Sequence, residues 1–545
     1  MSCYYLRHSR QDKMKGGGME RSMNQNKAIE FNKESRKKNA LRMSGMGLIN
    51  QLISNIAAFV YRTVFIYLLS VEYLGINGLF TNIIQIFSLA ELGIGNVIIF
   101  RLYKPIKDED INRTAALMHF YKAFYRFIAL LIISVSIILI PFLPYIIKDP
   151  SEIPSDVNLY VVYILYVLES ACSYTFIYRQ ALLDADQKGY ISTAVQMTVT
   201  CLRYAVSILL LYMTRNYTLV LSGNLLVRLA GNMWIYWYAS RKYSAVFKNT
   251  SRLDKKEILQ ICKDTGAMMC HRIGSTVVTS TDNIIMSAYV GTVAVGIYSN
   301  YYMLIQAVQN IISNFLGSFT ASLGNHIISV EAEERYLLYK RLYFINMWVS
   351  VFCTSSLFLL LNPFIQIVWG KELIFSKEIV IILCINFYLF SSRIVNGSFG
   401  NAAGMFRYDR IRPLIEAILN LSISIVLAIK LEVAGVFLGT ILSSLFTVWW
   451  REPYLLYKKV FNQKIGSYFF AYFSWTLLLL ITVIPLDYMF SKLPLNVLYL
   501  FLRFVICGLG INLFFVILFH RNSSFLYFWK FGKTMLAAKI LPKQN

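Results

Sequence analysis

The sequence predicts an all-α polytopic membrane protein of about fourteen transmembrane helices. The first observation is composition: 57% of the 545 residues are apolar, only 15% are charged, and the mean hydropathy is +0.53. In a soluble domain about a quarter of the residues are charged. The second observation is that the apolar residues gather into runs of roughly 20, the length that crosses the hydrocarbon core of a bilayer as a helix.

Apolar runs of this length occur about fourteen times, and we number them spans 1 to 14. They begin near Met43, Tyr73, Arg113, Leu159, Tyr190, Leu219, Ile258, Val293, Arg335, Lys377, Ile411, Val433, Ile465 and Leu495. The connections between them are short, and the longest interior ones run from Arg241 to Lys256 and from Arg451 to Lys464. Such connections leave no room for a soluble catalytic domain.

Basic residues indicate the orientation of the spans, because the cytoplasmic loops of membrane proteins are enriched in Lys and Arg. With the N-terminus inside, most of the 53 Lys and Arg residues fall in the two tails and in the loops after even-numbered spans. The loops after odd-numbered spans hold Lys148, Arg215, Lys371, Lys377, Lys430 and Lys492. This pattern predicts that both termini lie in the cytoplasm and that the number of spans is even.

An internal repeat divides the chain. With an offset of 221 residues, Leu74-Gly75-Ile76 aligns with Val295-Gly296-Ile297, and Ile84-Gln85 aligns with Ile305-Gln306. The repeat unit holds six spans. Because six is even, both halves enter the membrane from the same side, as in parallel-repeat transporters, whose substrate site lies between the halves.

The repeat predicts five regions. They are a basic cytoplasmic tail (1–42), an N-terminal lobe with spans 1 to 6 (43–256), a C-terminal lobe with spans 7 to 12 (257–457), a helix pair outside the repeat (458–521) and a second basic tail (522–545). In the first tail, Lys15-Gly16-Gly17-Gly18 is what a purine-rich ribosome-binding sequence just ahead of Met19 would encode. We therefore treat Met19 as an alternative start.

The net charge of +24 does not indicate nucleic acid, because the basic residues are scattered between apolar runs and are not gathered on one soluble module. The anionic membrane surface is their expected partner. The eight cysteines occur singly, and neither they nor the five histidines have the spacing of a metal site. We predict no metal, no cofactor and no bound nucleic acid.

Polar side chains at helical spacing interrupt several apolar spans. Because polar groups that face lipid are costly, such stripes indicate a cavity or a helix contact. The stripes consist of Gln51, Asn55 and Arg62 on span 1, Gln85 on span 2, Arg272, Thr276, Thr279, Asp282 and Asn283 on span 7, and Gln306 on span 8. We predict that these residues line a substrate cavity.

The prediction of a cavity rests mainly on the charged residues of the stripes. For the uncharged ones, hydrogen bonding between packed helices is an equally good interpretation. For Arg62, Arg272 and Asp282 we favour a cavity, because a charge at mid-bilayer costs at least about 2.5 kcal/mol without a partner or water. Arginines in a cavity suit a phosphate-bearing cargo, since guanidinium groups bind phosphate oxygens bidentately and keep their charge.

Further charges lie on or beside the spans. Glu91 and Asp282 are candidates for ion coupling or gating, because a carboxylate takes up a proton or a sodium ion, or closes a cavity through an ion pair. Arg101, Arg393 and Glu416 are weaker candidates for the site. The other in-span charges, which include Glu169, Arg203, Arg228 and Arg503, are expected to snorkel or to pair structurally.

Three segments carry a family resemblance. They are Glu91-Leu92-Gly93-Ile94-Gly95-Asn96 followed by Arg101, then Asp282-Asn283-Ile284-Ile285 with Val295-Gly296-Ile297-Tyr298-Ser299, and last Gly400-Asn401-Ala402-Ala403-Gly404 with Arg407 to Arg412. In their order and spacing the chain resembles the Wzx-like polysaccharide flippase family. That family belongs to the superfamily that also holds multidrug MATE exporters and the peptidoglycan lipid flippase.

The resemblance implies a flippase, and not an enzyme, in the bacterial inner or plasma membrane. Its cargo would be a polyprenyl-diphosphate-linked oligosaccharide for capsule, lipopolysaccharide O-antigen or exopolysaccharide, moved from the cytoplasmic to the outer leaflet by alternating access. The expected partners are this lipid-linked oligosaccharide, the lipid bilayer and other polysaccharide assembly proteins.

Two alternatives remain open. A MATE-type cation-coupled multidrug exporter would favour acidic or aromatic cavity residues over Arg62 and Arg272. A membrane-embedded glycosyltransferase or polymerase would need a large or metal-binding outer loop. The acidic outer loop with Asp149, Glu152 and Asp156 is short, and its spacing is unlike that of a metal site.

Overall fold

The computed structural model shows only helices as regular structure in the described part of the chain. It describes residues 36–87, 94–149, 152–329, 331–405, 408–409 and 411–540. Within these ranges it leaves out the side chains of residues 36–46, 48, 96, 177, 264, 266–279, 318–329, 531–532 and 534–540. No residue in the described ranges belongs to a β-strand. The prediction of an all-α protein is therefore confirmed.

The helices follow one another with short connections. The longer ones are Arg36–Leu68, Val71–Phe87, Ile94–Lys107, Ile111–Leu139, Leu159–Ile177, Gly189–Thr214, Tyr217–Lys242, Lys255–Tyr289, Thr292–Ser329, Ala332–Trp369, Lys377–Ser391, Ile394–Ala402, Arg412–Phe446, Val448–Leu456, Gly466–Ser491, Val497–Val505, Ile511–Phe519 and Ser523–Ile540. Short helices fill connections at Leu143–Ile146, Gln180–Ala185 and Ser244–Lys248.

The apolar runs of the sequence lie on these helices. In the described part of the chain, nine helical segments are long and apolar enough to cross a membrane, so the chain is a multi-pass membrane protein. One of them, Arg412–Phe461, has 50 residues and contains the predicted start of span 12. The total of fourteen spans and their orientation stay a prediction.

A sharp turn divides the long helix Arg412–Phe446. The backbone leaves the helical region at Glu432 (φ 50°, ψ −127°), one residue before the predicted start of span 12. On either side, Asn420 Nδ2 donates to Thr440 Oγ1 at 2.9 Å, and Ser424 Oγ donates to the Val436 carbonyl at 3.1 Å. Each of these hydrogen bonds joins a residue before the turn to a residue after it. The two segments are therefore the antiparallel arms of a helical hairpin.

The chain forms two compact units. The first consists of the described residues within Met1–Leu69, Ile83–Pro144 and Ile153–Arg272. The second consists of those within Ser70–Asn82, Tyr145–Glu152 and Ile273–Asn545. The lobe boundaries predicted from the repeat offset stay a prediction.

Regularly spaced apolar side chains form the core of the first unit. On helix Ile94–Lys107 the buried side chains recur every fourth residue at Ile94, Ile98, Leu102 and Ile106, each at most 6% exposed. They pack in one cluster with the side chains of helix Ile111–Leu139. Lipid is as apolar as these side chains, so close packing and hydrogen bonds hold such helices together inside a bilayer.

A buried polar group anchors the connection between helices Leu159–Ile177 and Gly189–Thr214. Lys188 Nζ lies 2.8 Å from Asp186 Oδ2, and both side chains are 5% exposed. Tyr243 donates its hydroxyl to the same oxygen at 2.7 Å. The connection is therefore fixed to the end of helix Tyr217–Lys242.

Asp184 in this connection gives a pH-dependent prediction. Burial raises its pKa from 3.8 to about 6, although Ser192 Oγ donates to its carboxylate at 3.4 Å. The folded protein thus holds a proton that the unfolded chain releases, and stability falls as the pH rises from about 4 through about 6. We expect Asp184→Asn to remove this cost, by at most about 2 kcal/mol. The melting temperature of the purified variant should rise more at pH 8 than at pH 5, and an equal rise at both would contradict the assignment.

Two glycines let two helix starts touch in the second unit. A Cβ atom on Gly75 would lie 2.1 Å from the Thr292 carbonyl oxygen, and one on Gly296 would lie 2.4 Å from the Val71 carbonyl oxygen. The repeat offset of 221 relates Gly75 to Gly296 and Val71 to Thr292. The contact is therefore reciprocal, and each side offers the same two positions to the other.

We expect Gly75→Ala to destabilise the protein by about 1–3 kcal/mol, because the added methyl group meets backbone and not a flexible side chain. The measurement is the melting temperature of the purified protein. Gly317→Ala is the matched control, since a Cβ atom there meets nothing within 4 Å. Equal melting temperatures for Gly75→Ala and this control would show that the contact is not tight.

Candidate functional site

Arg62 in helix Arg36–Leu68 lies among tyrosine side chains of the first unit. Its guanidinium interacts electrostatically with the phenol groups of Tyr61, Tyr166, Tyr204 and Tyr217. The rings of Tyr61 and Tyr204 are 5.2 Å apart, and the hydroxyls of Tyr166 and Tyr217 are 3.0 Å apart. These tyrosines come from four helices, so Arg62 lies where several spans pack together.

Glu169 joins two more arginines to this region. Its Oε1 lies 2.7 Å from Arg228 Nη1 and 3.5 Å from Arg203 Nη1. Tyr61 interacts electrostatically with both Arg62 and Arg203, which places the three arginines in one neighbourhood. We call Arg62, Glu169, Arg203 and Arg228 the arginine cluster.

The arginine cluster carries an excess of positive charge. Arg203 and Arg228 share the Glu169 carboxylate, and their side chains are 31% and 42% exposed, while Arg62 adds a third positive charge nearby. A partly exposed guanidinium on a membrane-spanning helix needs water or an anionic ligand, because contact with lipid is costly. The cluster is therefore suited to bind an anionic group.

A buried carboxylate marks the second unit. Asp282 is 8% exposed, and Thr440 Oγ1 lies 3.4 Å from both of its oxygens. Thr440 in turn accepts a hydrogen bond from Asn420 at 2.9 Å, so Thr440 connects the carboxylate to the other arm of the helical hairpin. Among the residues whose side chains the structure describes, no base pairs with Asp282.

The uncharged residues predicted from the stripes have mixed environments. Gln51 Nε2 donates to Asn55 Oδ1 at 2.9 Å, so these two satisfy each other within one helix. Gln306 donates to Asn310 at 3.2 Å, and Gln85 is exposed. Asn283, beside Asp282, is 9% exposed, and its Oδ1 is buried without a hydrogen bond in the described part of the chain.

The weaker candidates lie in ion-pair networks. Glu416 accepts from Arg412 at 2.6 Å and from Ser444 at 3.2 Å. Arg393 Nε donates to the Leu389 carbonyl at 3.0 Å. Arg101 Nη1 is 3.8 Å from Glu257. Glu416 and Arg393 each have a partner four residues away along the chain, and their role in the site stays a prediction.

Some predicted site residues cannot be placed. Glu91 lies outside the described residues, and so do the side chains of Arg272, Thr276 and Thr279. Within the described part, no three His, Cys, Asp or Glu residues are grouped as a metal ion would require.

Glu152, in the acidic outer loop, has a structural role. Its Oε2 accepts hydrogen bonds from the hydroxyl and the backbone N–H of Thr292, the former at 2.7 Å, and from the Val293 N–H at 3.3 Å. It thereby satisfies the first donors of helix Thr292–Ser329, where a negative charge is favourable.

Sequence comparison connects the chain with one protein family. The model of the family described as "Polysaccharide biosynthesis protein" matches residues 41–320, which contain the first two resembling segments, and confirms the resemblance. A comparison with curated protein sequences finds no match.

Three solved structures show the same fold at low sequence identity. The lipid II flippase MurJ in an inward closed conformation has a TM-score of 0.62 at 15% identity, with 87% of this chain and 98% of that chain covered. An inward-facing multidrug resistance MATE family transporter of the MOP superfamily has 0.57 at 14%, with 75% and 95% covered. A variant of the Vibrio cholerae MATE transporter VcmN has 0.52 at 13%, with 78% and 98% covered.

Proposed function

The chain belongs to the family of polysaccharide biosynthesis proteins, and from that premise we propose that it is a flippase for polyprenyl-diphosphate-linked oligosaccharide. It moves this cargo from the cytoplasmic to the outer leaflet of a bacterial cell membrane by alternating access, in surface polysaccharide biosynthesis. The similarity of its fold to a lipid II flippase supports the proposal. The proposed transport includes no enzymatic step.

The arginine cluster is the observation that carries the proposal. A diphosphate bears several negative charges, and guanidinium groups bind its oxygens in pairs without losing their own charge. Three tyrosines around Arg62, Tyr61, Tyr166 and Tyr204, are half-buried, and their hydroxyls and ring faces are suited to the polar and apolar faces of sugars. The polyprenyl tail stays in lipid, so only the headgroup needs a polar path.

Glu169 gives the cluster a resting state. Without cargo its carboxylate holds Arg203 and Arg228, which prevents their charges from standing unpaired in the membrane. A diphosphate offers more oxygens and more charge than one carboxylate, so it displaces Glu169 when it arrives.

Asp282 is the proposed ion-coupling residue. Among the described side chains no base pairs with Asp282, and a buried carboxylate of this kind is costly in its charged form, a cost that a bound proton or sodium ion removes. The Asn420 amide N–H on one arm of the hairpin donates to the Thr440 hydroxyl on the other arm, and that hydroxyl donates to the Asp282 carboxylate. Cation binding at Asp282 is thus able to change how the hairpin packs.

The test is transport by the purified full-length protein in sealed vesicles. A fluorescent polyprenyl-diphosphate-linked oligosaccharide is loaded, and a sugar-modifying enzyme outside the vesicles reports what reaches the outer leaflet. We expect transfer that exceeds the rate in protein-free vesicles and in vesicles with heat-inactivated protein. Equal rates in all three would overturn the flippase proposal.

Asp282 also favours a second candidate, a cation-coupled exporter of the MATE type, and the MATE transporters share the fold. In the same vesicles, such an exporter would move a cationic dye against its gradient. The excess of arginine in the first unit disfavours a cationic substrate. Dye export without transfer of the lipid-linked sugar would favour the exporter.

A further inference from the structure

A polar pocket lies in the first unit at the predicted cytoplasmic ends of spans 2, 3 and 7. Its volume is about 390 Å³, and three bases line it: Arg101, Lys104 and Arg113. Arg101 and Lys104 come from helix Ile94–Lys107, while Arg113 comes from the start of the next helix. Basic residues at inner helix ends are expected in any membrane protein, so their arrangement decides what they do.

Glu257 shows where an anion fits in this pocket. Its Oε1 lies 2.7 Å from Arg113 Nη2 and 3.8 Å from Arg101 Nη1. One carboxylate oxygen therefore stands between two guanidinium groups that come from two different helices. A phosphate oxygen makes the same two contacts, and guanidinium groups pair with phosphate in the same planar geometry.

The Glu257 carboxylate is exchangeable. The side chain of Arg113 is 55% exposed, and an exposed ion pair contributes little to stability because water screens it. Asp110, the neighbouring acid, accepts a hydrogen bond from the Arg113 backbone N–H at 2.9 Å and caps that helix. When Glu257 turns away, Arg101, Lys104 and Arg113 outnumber Asp108 and Asp110, and the pocket becomes cationic.

We propose that this pocket binds the diphosphate of the lipid-linked cargo before the cargo reaches the arginine cluster, with Glu257 as the placeholder that it displaces. The proposal rests on the proposed function, because the cargo of such a flippase brings a lipid-linked diphosphate to this side of the membrane. It assigns the pocket to loading and the arginine cluster to translocation.

Binding of inorganic pyrophosphate to the purified full-length protein is the first test, measured by calorimetry. We expect Arg113→Gln to weaken binding about 10-fold, since it removes one charged hydrogen-bond donor. We expect Glu257→Gln to tighten binding several-fold, since it removes the competing anion. Lys107→Gln is the matched control, because it removes the same charge from the helix that carries Arg101 and Lys104, while Lys107 does not line the pocket.

The sign of the Glu257→Gln effect separates a binding site from a structural ion pair. A structural pair predicts unchanged or weaker binding in this variant, and either result would overturn the proposal. Wild-type affinity in Arg113→Gln would overturn it as well. Melting temperatures show whether each variant is folded, and the conservative Arg113→Lys variant should retain part of the affinity.

A second arm distinguishes lipid-linked from free diphosphate. Protein in phosphatidylethanolamine vesicles is titrated with pyrophosphate with and without a polyprenyl diphosphate in the membrane. We expect the lipid to compete and to raise the apparent dissociation constant. Binding of pyrophosphate without competition would overturn the assignment to cargo. Competition in a protein that fails to flip the oligosaccharide would instead leave this site standing and overturn the proposed function.

Discussion

We expect replacement of both Arg203 and Arg228 with glutamine to lower the rate of oligosaccharide flipping by about 100-fold or more. Each guanidinium makes charge-assisted hydrogen bonds, which contribute about 1.5–3 kcal/mol apiece, and about 1.4 kcal/mol corresponds to a factor of ten. The two arginines share Glu169, so their effects do not simply add. The measurement is the initial rate in the vesicle assay.

The control for this variant is Arg241→Gln. Arg241 is at the C-terminal end of the same helix as Arg228 and stacks on Trp237 at 4.8 Å, away from Glu169. This control removes one positive charge from the same helix, where the double variant removes two in all, and it should keep the wild-type rate. Glu169→Gln should bind cargo as tightly as the wild type or more tightly, because the arginines lose their competitor. Wild-type flipping by the Arg203/Arg228 variant would refute the role of the arginine cluster.

Asp282→Asn should abolish the dependence of transport on a cation gradient and lower the driven rate at least about 10-fold, a factor that corresponds to about 1.4 kcal/mol. The amide has the shape of the carboxylate and still hydrogen-bonds with Thr440, but it binds neither a proton nor a sodium ion. Transport is measured under an imposed sodium gradient and, separately, under an imposed pH gradient. The gradient that drives the wild type identifies the ion.

Asp487→Asn is the matched control for this experiment. Asp487 pairs with Lys377 at 2.6 Å, and both side chains are at least 35% exposed, so its charge is balanced in the wild type. It should keep the cation dependence. Thr440→Val should weaken the response without abolishing it, because it removes one oxygen and keeps the carboxylate. A gradient response in Asp282→Asn would show that coupling lies elsewhere.

The sequence predicts the helices well because their signal is local. A long apolar run has few alternatives to a helix in a bilayer, since every backbone group must bond within its own segment. The turn at Glu432 also follows from a local break in the apolar pattern, and it occurs one residue from the predicted boundary. Features of this kind can be predicted without knowing which helices are in contact.

The arginine cluster has no such local signal. Glu169 is 34 residues from Arg203 and 59 from Arg228 in sequence, and only helix packing brings them together. A local pattern also has two explanations: the spacing that predicts Gln51 and Asn55 in a cavity stripe is the spacing at which two side chains on one helix bond to each other. Single residues in spans therefore indicate a site less clearly than their partners do.

The reciprocal contact of Gly75 and Gly296 resembles an interface between identical subunits more than an ordinary contact within a chain. In a two-fold interface each copy presents the same surface, so every contact between two positions occurs twice, once in each direction. Here Gly75 meets Thr292 and Gly296 meets Val71, positions related by the same offset. The two glycines thus make equivalent contacts. A change at either one should disturb both helix starts to a similar extent.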